Sequence, residues 1–118
     1  MATAARQMHV VDIESIPVIY HHEGREQIRR IVTRGRDGYQ KFSFHVVHFD
    51  ANLEKDMKEG DLEIVLFVLQ GSAKLTWDDK TVEVRPGSAI CVAPLTPYHH
   101  TTGPQGMTVA VCVSPPIE

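Results

Sequence analysis

Apolar and polar residues alternate along this chain in short runs broken by turn residues, and no segment sustains the period of an amphipathic helix. Runs rich in Val, Ile, Phe and Thr between Gly, Pro and Asp clusters predict strands. Residues 8–13 and 17–20 read as two short strands, 21–24 as a turn and 26–33 as a third strand. Residues 34–38 form a loop whose glycines tolerate positive φ. In the strand 41–49, alternation sets Phe42, Phe44, Val46 and His48 on one face. Ser43, His45, Val47 and Phe49 take the other, and only one of His45 and His48 can point inward.

The rest of the chain is organised around residues 62–100. Residues 53–60 are polar and predict a strand-loop at a barrel rim. The following run, Ile64 to Leu69, is apolar at every position, which predicts a strand covered on both faces. Residues 73–77 and 81–85 flank Asp78-Asp79-Lys80 as a hairpin. Pro86-Gly87 turns the chain into a strand at 88–93, a Pro-rich loop follows, and the strand 107–113 closes the pattern. Eight or more short strands without a helix of note predict an all-β sandwich, barrel or jelly roll. The expected core is Phe42, Phe44, Ile64, Leu66, Val68, Leu75, Val82, Val84, Ile90, Val92, Val109, Val111 and Val113.

Composition narrows the partners more than the fold. The 118 residues are 42% hydrophobic and 23% charged, enough for one domain with a core of its own. A net charge of −3 and the absence of a long basic run argue against nucleic acid. Arg25, Arg29, Arg30, Arg34 and Arg36 are interleaved with Glu23, Glu26 and Asp37 and read as a solvated face. No apolar stretch is long enough for a membrane span, and no signal-peptide pattern opens the chain, so a cytoplasmic location is expected. Cys91 and Cys112 lie in apolar strand patterns and are expected to pack as small core hydrophobes. The doubly apolar run leaves Val65, Phe67 and Leu69 in need of cover, which predicts a homodimer.

The order of strands and turns around Gly71, Pro86-Gly87 and Pro94-x-x-x-x-His99 resembles the two motifs of the cupin superfamily. The resemblance implies a double-stranded β-helix, a jelly-roll barrel, over residues 1–118 as a single domain. Residues 1–25 would form N-terminal strands or an arm and residues 40–115 the barrel. A looser likeness to ectoine-synthase-like cupins lies in Ser43-Phe44-His45 and in the run from Met107 to Pro115. The first cupin motif usually carries two histidines and a glutamate that bind metal. Counting back from Gly71 puts Lys58, Gly60 and Ile64 at those positions. Slipping the register by one gives Met57, Glu59 and Glu63. In the second motif the usual histidine falls on His99, or on Tyr98 when counted from Gly87.

A catalytic metal needs about three imidazole, carboxylate or thiolate donors converging on one point. Ile64 offers no lone pair and Lys58 repels a cation, so the expectation is no tightly held metal. A non-standard site for Fe, Mn, Ni or Zn would have to draw on His99, His48, Glu63 and Glu59. What remains is a small-molecule pocket, with His99 and Tyr98 as candidate acid–base residues. His48, Ile64, Leu66, Ile90 and His99 are the candidate ligand contacts, and His100 falls on the outer face. Three functions stay open at this point. The first is a cupin that binds a small metabolite, with metal-independent isomerase or cyclase chemistry. The second is a metal-dependent dioxygenase, lyase or isomerase, and the third a non-catalytic binding module.

Overall fold

The computed structural model describes residues 7–117. Its strands are β1 (Ile19–His21), β2 (Glu26–Val32), β3 (Ser43–Phe49), β4 (Glu54–Met57), β5 (Glu63–Trp77), β6 (Lys80–Val84), β7 (Ala89–Val92) and β8 (Tyr98–Ser114). The only helical pieces among the described residues are a 3₁₀ turn (Ile13–Ser15) and a single α-turn, α1 (Arg34–Asp37). Residues 8–13, expected as a strand, precede and enter that 3₁₀ turn instead. The expected loop 34–38 is wound into α1 because Thr33 caps it, accepting the Arg36 N–H, and Gly38 ends it at φ 82°.

Two long strands hold the architecture together. The C-terminal half of β8 pairs with β3 and with the first half of β5, and β2 and β7 extend that layer. The N-terminal half of β8 pairs with β4 and with the second half of β5, and β6 completes the second layer. Both strands therefore pass from one layer to the other, and all these pairings are antiparallel. The sequence suggests separate strands on either side of Gly71 and a loop before Met107. The chain instead stays paired through a bulged corner, where the register shifts between Val68 and Gln70 and between Gly71 and Ala73. Gly71 sits at φ 79°, and a Cβ there would run into the Gly106 carbonyl oxygen. Only glycine permits that approach.

The core lies between the layers. Ile64, Leu66, Val68, Leu75, Val84, Val92, Val109, Val111 and Val113 are buried as expected, and Ile90 packs against them half-buried. Val82 is instead 44% exposed, and β3 is inverted relative to the expected core: Val47 and Phe49 face inward. The pattern could not choose, because both faces of β3 carry two large apolar side chains. Register decides it, since Val47 and Phe49 lie opposite buried Val109 and Met107. Phe42 stacks on Tyr39, centroids 5.7 Å apart, outside the core cluster. Cys91 is exposed and Cys112 half-buried, which corrects their placement in the core. Each lies opposite Val65 in register and so shares its outward direction.

Candidate functional site

Inward side chains of β2, β3, β4, β5 and β8 enclose a cavity of about 280 Å³ between the layers. Its apolar wall includes Val47, Ile64, Leu66, Val111 and Val113. The polar groups come from a few inward positions. In β2 the two-residue period brings Glu26, Ile28 and Arg30 to the same side, and register places Arg30 directly across from His45.

His45 is 3% exposed, with Nε2 2.9 Å from Ser43 Oγ. That Oγ also accepts the Ile117 N–H at 3.2 Å, which ties the C-terminal segment to the cavity. His45 Nδ1 is buried with no hydrogen-bond partner among the described residues. Leaving such an atom unpaired costs about 1–3 kcal/mol, a cost that a ligand bond at Nδ1 would relieve. Burial, and then the Arg30 charge, push the imidazole down to about 4, so it is neutral at pH 7.

Tyr98 enters from the first residue of β8, opposite buried Met57, and is itself 8% exposed. Burial first, and then the negative charge of Glu59, raise its hydroxyl above the ordinary phenol range. It therefore remains a hydrogen-bond donor at physiological pH. Glu59 lines the same cavity. Lys55 and Glu26 line it too: Lys55 Nζ donates to Glu26 Oε1 at 2.8 Å, and His22 Nε2 lies 3.3 Å from the same oxygen. The Lys55 ammonium stands 5.8 Å over the Phe49 ring, and His100 packs edge-on against that ring at 4.7 Å.

Several expected site residues stand elsewhere. His99 is on the outer face of β8, its side chain 39% exposed, with Nδ1 2.8 Å from Asp56 Oδ1 and Nε2 3.5 Å from Glu54 Oε1. Those bonds, the one to Asp56 foremost, hold its pKa above the usual value. His100, expected outside, is 2% exposed inside, and burial and then the Lys55 charge push it down to about 4. Of the two registers the sequence offers, the one counted from Gly87 and not the one counted from Pro94 gives the inward residue, and a one-residue difference turns every side chain beyond it to the other face. The loop before β8 is pinned at Leu95, which takes φ 62° and donates its N–H to the Gly60 carbonyl at 2.7 Å, and Tyr98, not His99, takes the inward position. His48 is likewise outward, with Nδ1 2.8 Å from Thr108 Oγ1. Ile64 and Leu66 line the cavity, whereas Ile90 lines a neighbouring one. Glu63 is exposed at the start of β5.

Arg30, Glu26 and Lys55 were not singled out for the site from the sequence. The two-residue alternation with Ile28 could have found Arg30 and Glu26, but Lys55 lies in a polar segment without a legible face.

The fold implies a metal in many of its members, and the donors here do not fit one. Of His99, His48, Glu63 and Glu59, only Glu59 reaches the cavity. Among the described residues no three His, Cys, Asp or Glu side chains converge to hold an ion. The inward position at 64 is an isoleucine and that at 98 a tyrosine.

No protein-family model and no curated protein sequence matches the chain. Solved structures do. An RmlC-like cupin from Shewanella frigidimarina aligns over 95% of this chain and 95% of its own, with TM-score 0.76 and 17% identity. Ectoine synthase from P. lautus aligns over 93% of this chain and 80% of its own, with TM-score 0.80 and 18% identity. The polyketide cyclase RemF from Streptomyces resistomycificus aligns over 95% of this chain and 81% of its own, with TM-score 0.75 and 26% identity. Two antiparallel layers sharing β5 and β8, together with these alignments over most of each chain, show that the chain has the RmlC-like cupin fold.

Proposed function

We propose that this cupin-fold protein binds a small carbonyl-bearing metabolite between its layers and acts on it by metal-independent acid–base chemistry of the isomerase or cyclase kind. The observation that carries the reading is that Tyr98, Glu59 and His45 line one cavity, with the Glu59 charge acting on the Tyr98 hydroxyl and the His45 Nδ1 buried without a hydrogen-bond partner among the described residues. Such an arrangement suits proton abstraction next to a carbonyl. Glu59 takes the proton from carbon. The resulting enolate oxygen accepts a hydrogen bond from Tyr98, and the Arg30 guanidinium at the cavity wall favours its negative charge. In a cyclisation the enolate carbon attacks a second carbonyl of the same molecule. A carbon–carbon bond forms, and the new alkoxide takes the proton back from Glu59. The polyketide cyclase among the structural neighbours supports a substrate with several carbonyls.

Exchange of the α-protons of 2-tetralone in D₂O, followed by proton NMR with EDTA present, tests this. Wild-type protein should accelerate exchange, and Glu59→Gln and Tyr98→Phe should each slow it at least tenfold. Acceleration that disappears with EDTA, or that survives both substitutions, would overturn the proposal.

A second copy of the chain completes the proposed assembly. Val65, Phe67 and Leu69 project outward from β5 at 45–46% exposure, flanked in register by Ala89, Cys91, Ala110 and Cys112. Phe44 and Val46 of β3 extend the same apolar face. A charge-free patch across four strands suits a two-fold, self-complementary contact.

A further inference from the structure

Tyr98 lines a second cavity as well as the first. This second space, of about 200 Å³, lies along β6 and β7. Leu75, Val84 and Val92 form its buried wall, with Trp77 and Ile90 half-buried around them. Tyr98, Trp77 and Thr96 are the residues with polar side-chain atoms around it, while Cys91, whose side chain turns outward with Val65, borders it at the edge of β7. The two cavities differ in chemistry. One carries Arg30, His45, Glu26 with Lys55, and Glu59; the other carries no charged side chain among the described residues.

We infer that this second chamber is an apolar subsite, and that it takes a ring-sized or alkyl portion of the molecule whose carbonyl end lies in the first cavity. The inference rests on the proposed function above and adds the shape and polarity of the substrate. Tyr98 is the shared wall, so a ligand bonded to its hydroxyl has the chamber directly beside it. An apolar cavity of about 150 Å³ is enough to hold benzene, so this one accommodates a single six-membered ring or a chain of several methylenes. The substrate class that fits is a carbonyl compound with a hydrophobic tail or second ring, in preference to a compact, fully hydroxylated sugar or a free amino acid. Tyr98 thereby acts in specificity too, because its ring separates the part of the ligand that reacts from the part that is only recognised.

The chain reports on this chamber by itself, since Trp77 is its single tryptophan. The full chain would be titrated with 2-pentanone and with 2-nonanone, following both melting temperature and Trp77 emission. Both ketones should raise the melting temperature, but only 2-nonanone should shift Trp77 emission to the blue as its tail displaces water. Each methylene that enters the chamber should tighten Kd about threefold to fourfold. Val82 is a wall residue 44% exposed, so Val82→Phe narrows the chamber with little risk to folding. That variant should lose the emission shift and bind 2-nonanone at least tenfold more weakly, with Kd for 2-pentanone unchanged. If both ketones bind but Trp77 emission never responds, or Val82→Phe binds both as wild type does, the subsite is refuted while the proposed function stands. If neither ketone binds at millimolar concentration, the first cavity's assignment falls and the subsite falls with it.

Discussion

Acidification should unfold this protein partly through one buried histidine. His100 is 2% exposed and packed against Phe49, with Lys55, Glu26, His22 and His99 as its titratable neighbours. Burial foremost lowers its pKa from 6.5 to about 4. The unfolded chain therefore binds a proton at this residue between pH 6.5 and 4 that the folded chain refuses, and stability falls as pH falls through that window. Each pH unit crossed inside the window removes about 1.4 kcal/mol, so one such histidine removes about 2.5 kcal/mol between about pH 7 and pH 4.5. In urea, with m of about 1.5 kcal/mol per molar, the midpoint should move by roughly 1.7 M on its account alone. His100→Leu is nonionisable and of similar volume, and the carboxylates that also titrate are common to both proteins. Urea melts of both at about pH 7 and pH 4.5 should therefore show the variant losing about 2.5 kcal/mol less than wild type. An equal loss in the two proteins would refute the assignment of His100 as a buried neutral imidazole.

Three further outcomes follow from the packing. Gly71→Ala puts a methyl against the Gly106 carbonyl at a positive φ and should cost at least about 2 kcal/mol in thermal or urea unfolding. Lys55→Met leaves the buried Glu26 carboxylate without its ammonium and should cost about 2–3 kcal/mol, whereas the double variant with Glu26→Leu should cost less than the sum of the singles, as a double-mutant cycle measures. Phe67→Glu places a charge in the outward apolar patch, so sedimentation velocity should show a dimer for wild type and a monomer for the variant.

The architecture was legible because strand alternation and turn residues are local signals. Runs such as Ile64 to Leu69, with Gly71 and Pro86-Gly87 behind them, carry it without reference to distant partners. Facing was legible only where one side of a strand is polar. In β3 both sides are apolar, so the choice between His45 and His48 rests on pairing with β8, a non-local fact. At residues 98–100 the outcome turned on the length of the segment between Gly87 and β8, since a single residue there reverses every side chain beyond it. Counting from Gly87 offers Tyr98 as the inward residue, and counting from Pro94 offers His99. Arg30 was masked by its neighbours: five arginines in twelve positions look solvated, although one of them alternates inward with Ile28. The outward cysteines show the same limit, since an apolar outer face reads like a core.

The most direct measurement compares two adjacent residues on opposite faces of β8. Isothermal titration with 2-tetralone should give a Kd about fivefold to tenfold weaker for Tyr98→Phe, the size of one lost hydrogen bond. His99→Ala, which removes a side chain bonded only on the outer face, should leave Kd unchanged. Weakened binding in His99→Ala with an unaffected Tyr98→Phe would contradict the account.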